Sequence, residues 1–220
     1  MVTFEFCALY YLNWWSILDR KFVKAFSSGN LEKIMAILPA VMSSYRISRN
    51  FSMVYDVDSR SDCRRFEPVA NIINDSKITE VNHSNYIEVV NNVREQIRVL
   101  YKKDLLSATT KLLWMKYRSP IIIYDNNAAT ALHRLGYRIK PGDYEGYASL
   151  WKKYYAEVSG DIETACKKLS SIRKFAESAN ETFFSEEYIR DITSQEWFRE
   201  RVLDIYFWHA GRKGVQRKEV

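Results

Sequence analysis

Glycine and proline are scarce in this 220-residue sequence, seven and four respectively. So few turn formers exclude an all-β design built from many short hairpins. The three cysteines, Cys7, Cys63 and Cys166, lie far apart and show no CxxC or Cys/His spacing. Neither a disulfide framework nor a zinc site is therefore expected, and a reducing, cytoplasmic setting fits. No stretch reaches the roughly 18 apolar residues of a spanning helix, so no membrane association is expected. The apolar N-terminal stretch is interrupted by Glu5 and lacks both a basic leader and a small-residue cleavage site, so it reads as a buried helix. GxSxG, GxxxxGK, HExxH and GxGxxG are all missing, and the histidines His83, His133 and His209 are dispersed. No local triad, P-loop or metal motif is present, and neither a cofactor nor an obligatory metal is expected.

What the chain does have is apolar and aromatic residues at helical spacing. Aromatics make up 15 % of it, with 15 Tyr, 11 Phe and 6 Trp, enough to build a real core at this length. Lys and Arg outnumber Asp and Glu by 33 to 27, a formal charge of +6. That bias draws phosphate-rich partners without identifying one.

The expected fold class is all-α, a compact helical array. Residues 1–220 form one helical unit or two packed lobes with seams near 84 and again near 140. A first helix spans Phe4 to about Ser27 and stops at Ser28-Gly29-Asn30. A second spans Leu31 to Tyr45, capped by Asn30 and kinked or split at Pro39. From Ile47 to His83 the periodicity fails, and only Phe66 to Ile73 reads as a helix, entered through Pro68. Ser84 caps a long helix from Asn85 to about Lys102. Asp104 caps the next, which stops before Ser119-Pro120. Ile121-Ile122-Ile123-Tyr124 is extended and apolar, and Asp125 caps a helix from Asn126 to Arg134 closed by Gly136. Helices over Tyr144–Val158, Ile162–Asn180 and Ser185 or Glu186 to His209 follow, and 212–220 is a basic tail.

The run from Ser107 through Lys111, Trp114, Pro120, Ile121-Ile122-Ile123-Tyr124 and Asp125 to Leu135-Gly136 resembles the core of the helix-hairpin-helix DNA glycosylase superfamily. In that family a helix leads through a short apolar stretch, commonly with a proline, to an aspartate that opens a helix often closed by Leu-Gly. Here Pro120 lies five residues before Asp125, and Gly136 eleven after it. The resemblance covers roughly thirty of the residues and implies a two-lobed helical fold. It departs at the hairpin, where Tyr101-Lys102-Lys103-Asp104-Leu105 contains none of the family's phosphate-facing glycines. It departs again where bifunctional members carry a nucleophilic lysine, since this chain has Ser107 there and Lys111 one turn on. A serine forms no Schiff base, so the resemblance implies a monofunctional enzyme that uses water.

The resemblance implies that Asp125 is the catalytic carboxylate. Breaking an N-glycosidic bond places positive charge on the sugar, which a fixed carboxylate stabilises. An ordinary N-cap aspartate would carry the same sequence signature. Phosphate contacts fall to Lys102, Lys103, Ser107, Thr109, Thr110 and Lys111, within a stretch from Arg98 to Arg118 holding six basic residues against Asp104 alone. A solvated helix face would look the same. The pocket for a flipped base falls to Trp114, Tyr124, Asn126 and Asn127, although aromatics at helical spacing are mostly core. The expected activity is removal of a damaged or modified base from double-stranded DNA by a monomer, with a modified phage base in antiviral defence as one setting. The alternative is a non-catalytic helical DNA-binding or regulatory protein on the same scaffold.

Overall fold

The computed structural model describes residues 2–52, 54–55, 63–75, 80–171 and 184–212, of which 54–55 and 63–64 are described by backbone alone. Among these residues the fold is helical, with one two-residue antiparallel pair, Val54–Tyr55 against Cys63–Arg64. No helix among them is long and apolar enough to cross a membrane. The chain forms two compact units: Met1–Leu18 with Tyr124–Val220, and Asp19–Ile123. The seams thus fall at 18/19 and 123/124 rather than near 84 and 140. Tyr124 and Asp125 belong to one unit, and the whole stretch from Lys102 to Trp114 belongs to the other.

In the Asp19–Ile123 unit, α2 (Arg20–Ser27) packs on α3 (Leu31–Ser44) and α6 (Leu106–Tyr117). Between them run α4 (Glu67–Asn74) and α5 (Tyr86–Tyr101), the latter packed on α6. Their shared faces bury Phe26, Ile34, Leu38, Val90, Ile97, Leu112, Leu113 and Trp114, and Phe51 is buried edge-on against Tyr101 of α5. Asn30 caps α3 as expected, its Oδ1 accepting the Lys33 amide at 3.0 Å. Contrary to expectation, α3 runs unbroken through Pro39. Pro39 is exposed, so the carbonyl it leaves without an amide donor can turn to water rather than break the helix. Asn85 rather than Ser84 is the residue preceding α5, and the Ser84 hydroxyl donates to Asn82 Oδ1. Arg65 has a structural role. Its guanidinium donates to the carbonyls of Phe51 (3.0 Å) and Ser48 (2.6 Å), pinning the otherwise aperiodic segment before α4.

In the other unit, α10 (Glu196–Gly211) is central, packed on α1 (Phe4–Trp14), α7 (Asn126–Arg134), α8 (Tyr144–Lys168) and α9 (Glu186–Ser194). Gly211 ends α10 against the backbone of Asn127, where any Cβ would overlap the Asn127 carbonyl. That close approach requires glycine. The helix expected from Phe4 to Ser27 keeps both ends but contains a π-helical turn at Trp15–Asp19. Two later boundaries move. The break expected at Ser159-Gly160-Asp161 is absent, because Ile162, Ala165 and Cys166 continue the buried face and hold Gly160 in the helix. The last expected helix divides at Gln195, whose ψ of 137° is extended. The far end of the helix expected to reach Asn180, and the tail beyond Arg212, lie outside the described residues.

Two thiols, Cys7 and Cys166, are free and buried, and burial pushes both up to about 12. They are packing groups rather than nucleophiles.

Candidate functional site

The β-region backbone of Asp125 (φ −141°, ψ 141°) precedes α7, and its Oδ1 accepts the Asn127 amide at 2.9 Å. The aspartate is therefore an N-cap, as read from sequence, and one of its oxygens faces the positive end of the helix. It is half-buried, while Ile121, Ile122, Ile123 and Tyr124 before it are all buried. The apolar run thus carries a carboxylate to the mouth of a helix and holds it there.

The residues on either side of Asp125 open onto a cavity. Tyr124, Asn126, Ala129, Thr130, His133, Ile139, Lys140 and Pro141 line about 370 Å³, within the range that holds small ligands. Asn126, Ala129, Thr130 and His133 share one face of α7, and the far wall is the 139–141 turn. The Tyr124 ring meets Tyr147 edge-on, centroids 4.9 Å apart, which leaves its orientation fixed by the core. The cavity offers a ring, an amide and an imidazole on one wall, with a lysine opposite.

Beneath α7 lies a set of buried polar groups. Asp204 of α10 accepts from Trp151 Nε1 (3.0 Å) and from Arg201 (2.9 Å). Burial pushes the Asp204 carboxyl up to about 6, against the opposing pull of Arg201 and Trp151, and the negative charge of Asp125 adds to the rise. Tyr147 is driven well above the usual phenol range by burial, with Asp204 and Asp125 contributing. Arg201 also stands 5.2 Å over the Tyr11 ring.

The other sequence-selected residues sit in the Asp19–Ile123 unit, apart from Asn127. Lys102 and Lys103 are exposed on the turn between α5 and α6. The hairpin has no glycine, yet Lys102 adopts φ 55°, ψ 29°, the left-handed conformation glycine would supply. Asp104 does not cap α6 from the position next to it. That position is Leu105, which has no side-chain cap. Asp104 is instead ion-paired to Arg94, which with a bond from the Leu106 amide holds its carboxyl below the usual range although burial opposes them.

Ser107 and Lys111 are half-buried. Thr109 and Thr110 are fully buried, and their hydroxyls donate to the carbonyls of Leu105 (3.0 Å) and Leu106 (3.1 Å). Neither presents a hydroxyl to a phosphate in this conformation. Trp114 is likewise enclosed, at 1 % exposure, as core rather than pocket. Asn127 gives its backbone to the Gly211 contact and does not line the cavity. Of the four residues expected to hold a base, Tyr124 and Asn126 therefore share a cavity.

Sequence reasoning missed Thr130, His133 and Lys140. The signal available was the 126-130-133 spacing along one helix face, followed by the Pro141-Gly142 turn. Among the described residues, no group of three or more His, Cys, Asp or Glu is placed to hold a metal. No protein-family model, no curated protein and no solved structure matches this chain.

Proposed function

We propose that the chain is a monofunctional DNA glycosylase that hydrolyses the N-glycosidic bond of a damaged or modified base flipped out of duplex DNA. The observation that carries this reading is that Tyr124 and Asn126, the chain neighbours of Asp125, line the 370 Å³ cavity, although Asp125 itself is not part of the lining. A flipped base needs a face to stack on and an edge to read, which an aromatic ring and an amide supply. As the C1′–N bond breaks, its electron pair leaves on the base and positive charge grows on the sugar. Asp125 stabilises that charge and orients the water that adds to C1′. The water's proton leaves through the carboxylate, and a proton returns to the departing base. Lys102 and Lys103, exposed on the α5–α6 turn, serve as phosphate contacts in this reading. A modified phage base, removed in antiviral defence, is the substrate class we favour within it.

A second reading is favoured by one specific bond. Asp125 Oδ1 accepts the Asn127 amide, as a purely structural cap would, which fits a non-catalytic DNA-binding protein on the same scaffold. Abasic-site formation on duplexes bearing deaminated, alkylated, oxidised and glucosylated bases separates the two. Asn caps a helix about as well as Asp, so Asp125→Asn keeps the fold. The glycosylase reading expects abasic sites from the wild type and none from the variant. Equal yields from both, or no released base with salt-sensitive duplex binding retained, would reject it.

A further inference from the structure

Along α1 and the end of α10 lies a surface whose residues do not line the cavity. Phe6, Tyr10 and Trp14 recur every fourth residue along α1, so their rings follow one another on a single face. The Phe6 and Tyr10 rings are 6.0 Å apart, and Tyr10 and Trp14 are 6.3 Å apart and nearly parallel, at 13°. Phe6 is 47 % exposed and Tyr10 37 %. His209 abuts both edge-on, at 5.4 and 5.7 Å, and Trp208 continues the row at 4.9 Å from His209. The Arg212 guanidinium closes it, 4.7 Å over the Trp208 ring. Arg134 lies at the same end, its guanidinium donating to the Ala210 carbonyl. Lys213, Arg217 and Lys218 follow in the sequence.

Single exposed aromatics are ordinary, but a contiguous row of them on a soluble surface marks a binding face. Its occupant is set by two features. The cations at one end select a polyanion, whereas an apolar protein partner would not call for them. The rings are spaced at about 6 Å, well beyond the ~3.4 Å rise per nucleotide in a duplex strand. Only a strand with unstacked, accessible base faces can meet successive rings at that spacing.

We propose that the Phe6–Tyr10–Trp14 row, bounded by Trp208, His209 and Arg212, is a stacking platform for single-stranded DNA. The rings take bases, and Arg212 and Arg134 take phosphates. The choice of DNA over RNA rests on the proposed function; the platform itself rests on its own geometry.

Fluorescence anisotropy of a short labelled oligothymidylate, read alongside quenching of the protein's tryptophans, tests it. The wild type is expected to bind and be quenched. Phe6→Ala/Tyr10→Ala is expected to bind at least about tenfold more weakly, with an unchanged circular dichroism spectrum because both rings are exposed. Arg212→Gln, which leaves α1 untouched, should lower the log–log salt slope by about 0.7. Unchanged affinity in the double variant would overturn the proposal. So would phosphatidylserine vesicle binding, or self-association, that the double variant loses while oligonucleotide binding survives. Tighter binding of an oligouridylate would overturn the assignment to DNA. Asp125→Asn should bind the oligonucleotide like the wild type, so failure of base excision and failure of the platform are read separately.

Discussion

The helix starts at Leu106 and at Asn126 both carry polar first turns in the sequence, yet they play opposite structural roles. At α6 the first turn points inward. Leu105, Leu106, Thr109 and Thr110 are buried, and the threonine hydroxyls return to carbonyls of their own helix. At α7 the first turn points outward, with a capping carboxylate, an exposed amide at Asn126 and a cavity along one face. A basic neighbourhood does not decide which helix start can meet a ligand. What decides it is whether the first-turn side chains are needed by the core.

The largest effect expected from this contrast is at Trp114. If it is core, Trp114→Ala leaves a cavity and costs about 3–5 kcal/mol, read as a lower urea midpoint. A fall of less than 1 kcal/mol would mean that the ring is not packed and would return it to the list of pocket residues. Next is the ground beneath α7. The Asp204 carboxyl is near 6 in the folded chain and close to the ordinary carboxylate value, about 3.9, when unfolded. Between those values the folded state holds the extra proton, so this group's contribution to stability falls as pH rises through the window. It is fully unfavourable above pH 6 and absent below the unfolded value. Comparing wild type with Asp204→Asn isolates it. The wild type should gain about 2 kcal/mol relative to the variant between pH 7 and pH 4. A flat difference across that range would mean that Arg201 keeps Asp204 ionised throughout.

Much of this fold is legible in the sequence because apolar spacing, caps and stops agree with one another. The Asn30 and Asp125 caps, the Pro68 entry to α4 and the stop before Pro120 all appear where side-chain chemistry places them. The failures come where a tertiary surface overrides a local signal. Gly160 remains helical because the residues after it are needed in the core, and Pro39 is tolerated because it faces out. The cavity was half legible. Tyr124 and Asn126 flank a recognisable aspartate, but Lys140 joins them only through the fold of the 134–141 connection, which no helical period encodes. The Gly211 contact on Asn127 was invisible for the same reason, as it is a long-range approach that leaves no local trace.

The smallest expected effect concerns the turn that leads into α6. Lys102 holds a left-handed backbone at φ 55°, a conformation that costs a residue with a Cβ about 1 kcal/mol or more relative to glycine. It caps the C-terminus of α5, where glycine is the common choice. Lys102→Gly should therefore raise the urea midpoint slightly, by up to about 1 kcal/mol of stability, less the entropy glycine adds to the unfolded chain. If Lys102 also contacts a phosphate, as the proposed function has it, the same variant should weaken duplex binding and make it less salt-sensitive, by about 0.9 in log–log slope. Stability and binding would then move in opposite directions. Such a pair of results would account for a lysine at a position that glycine fills more easily. A gain in stability with no change in binding would remove that explanation.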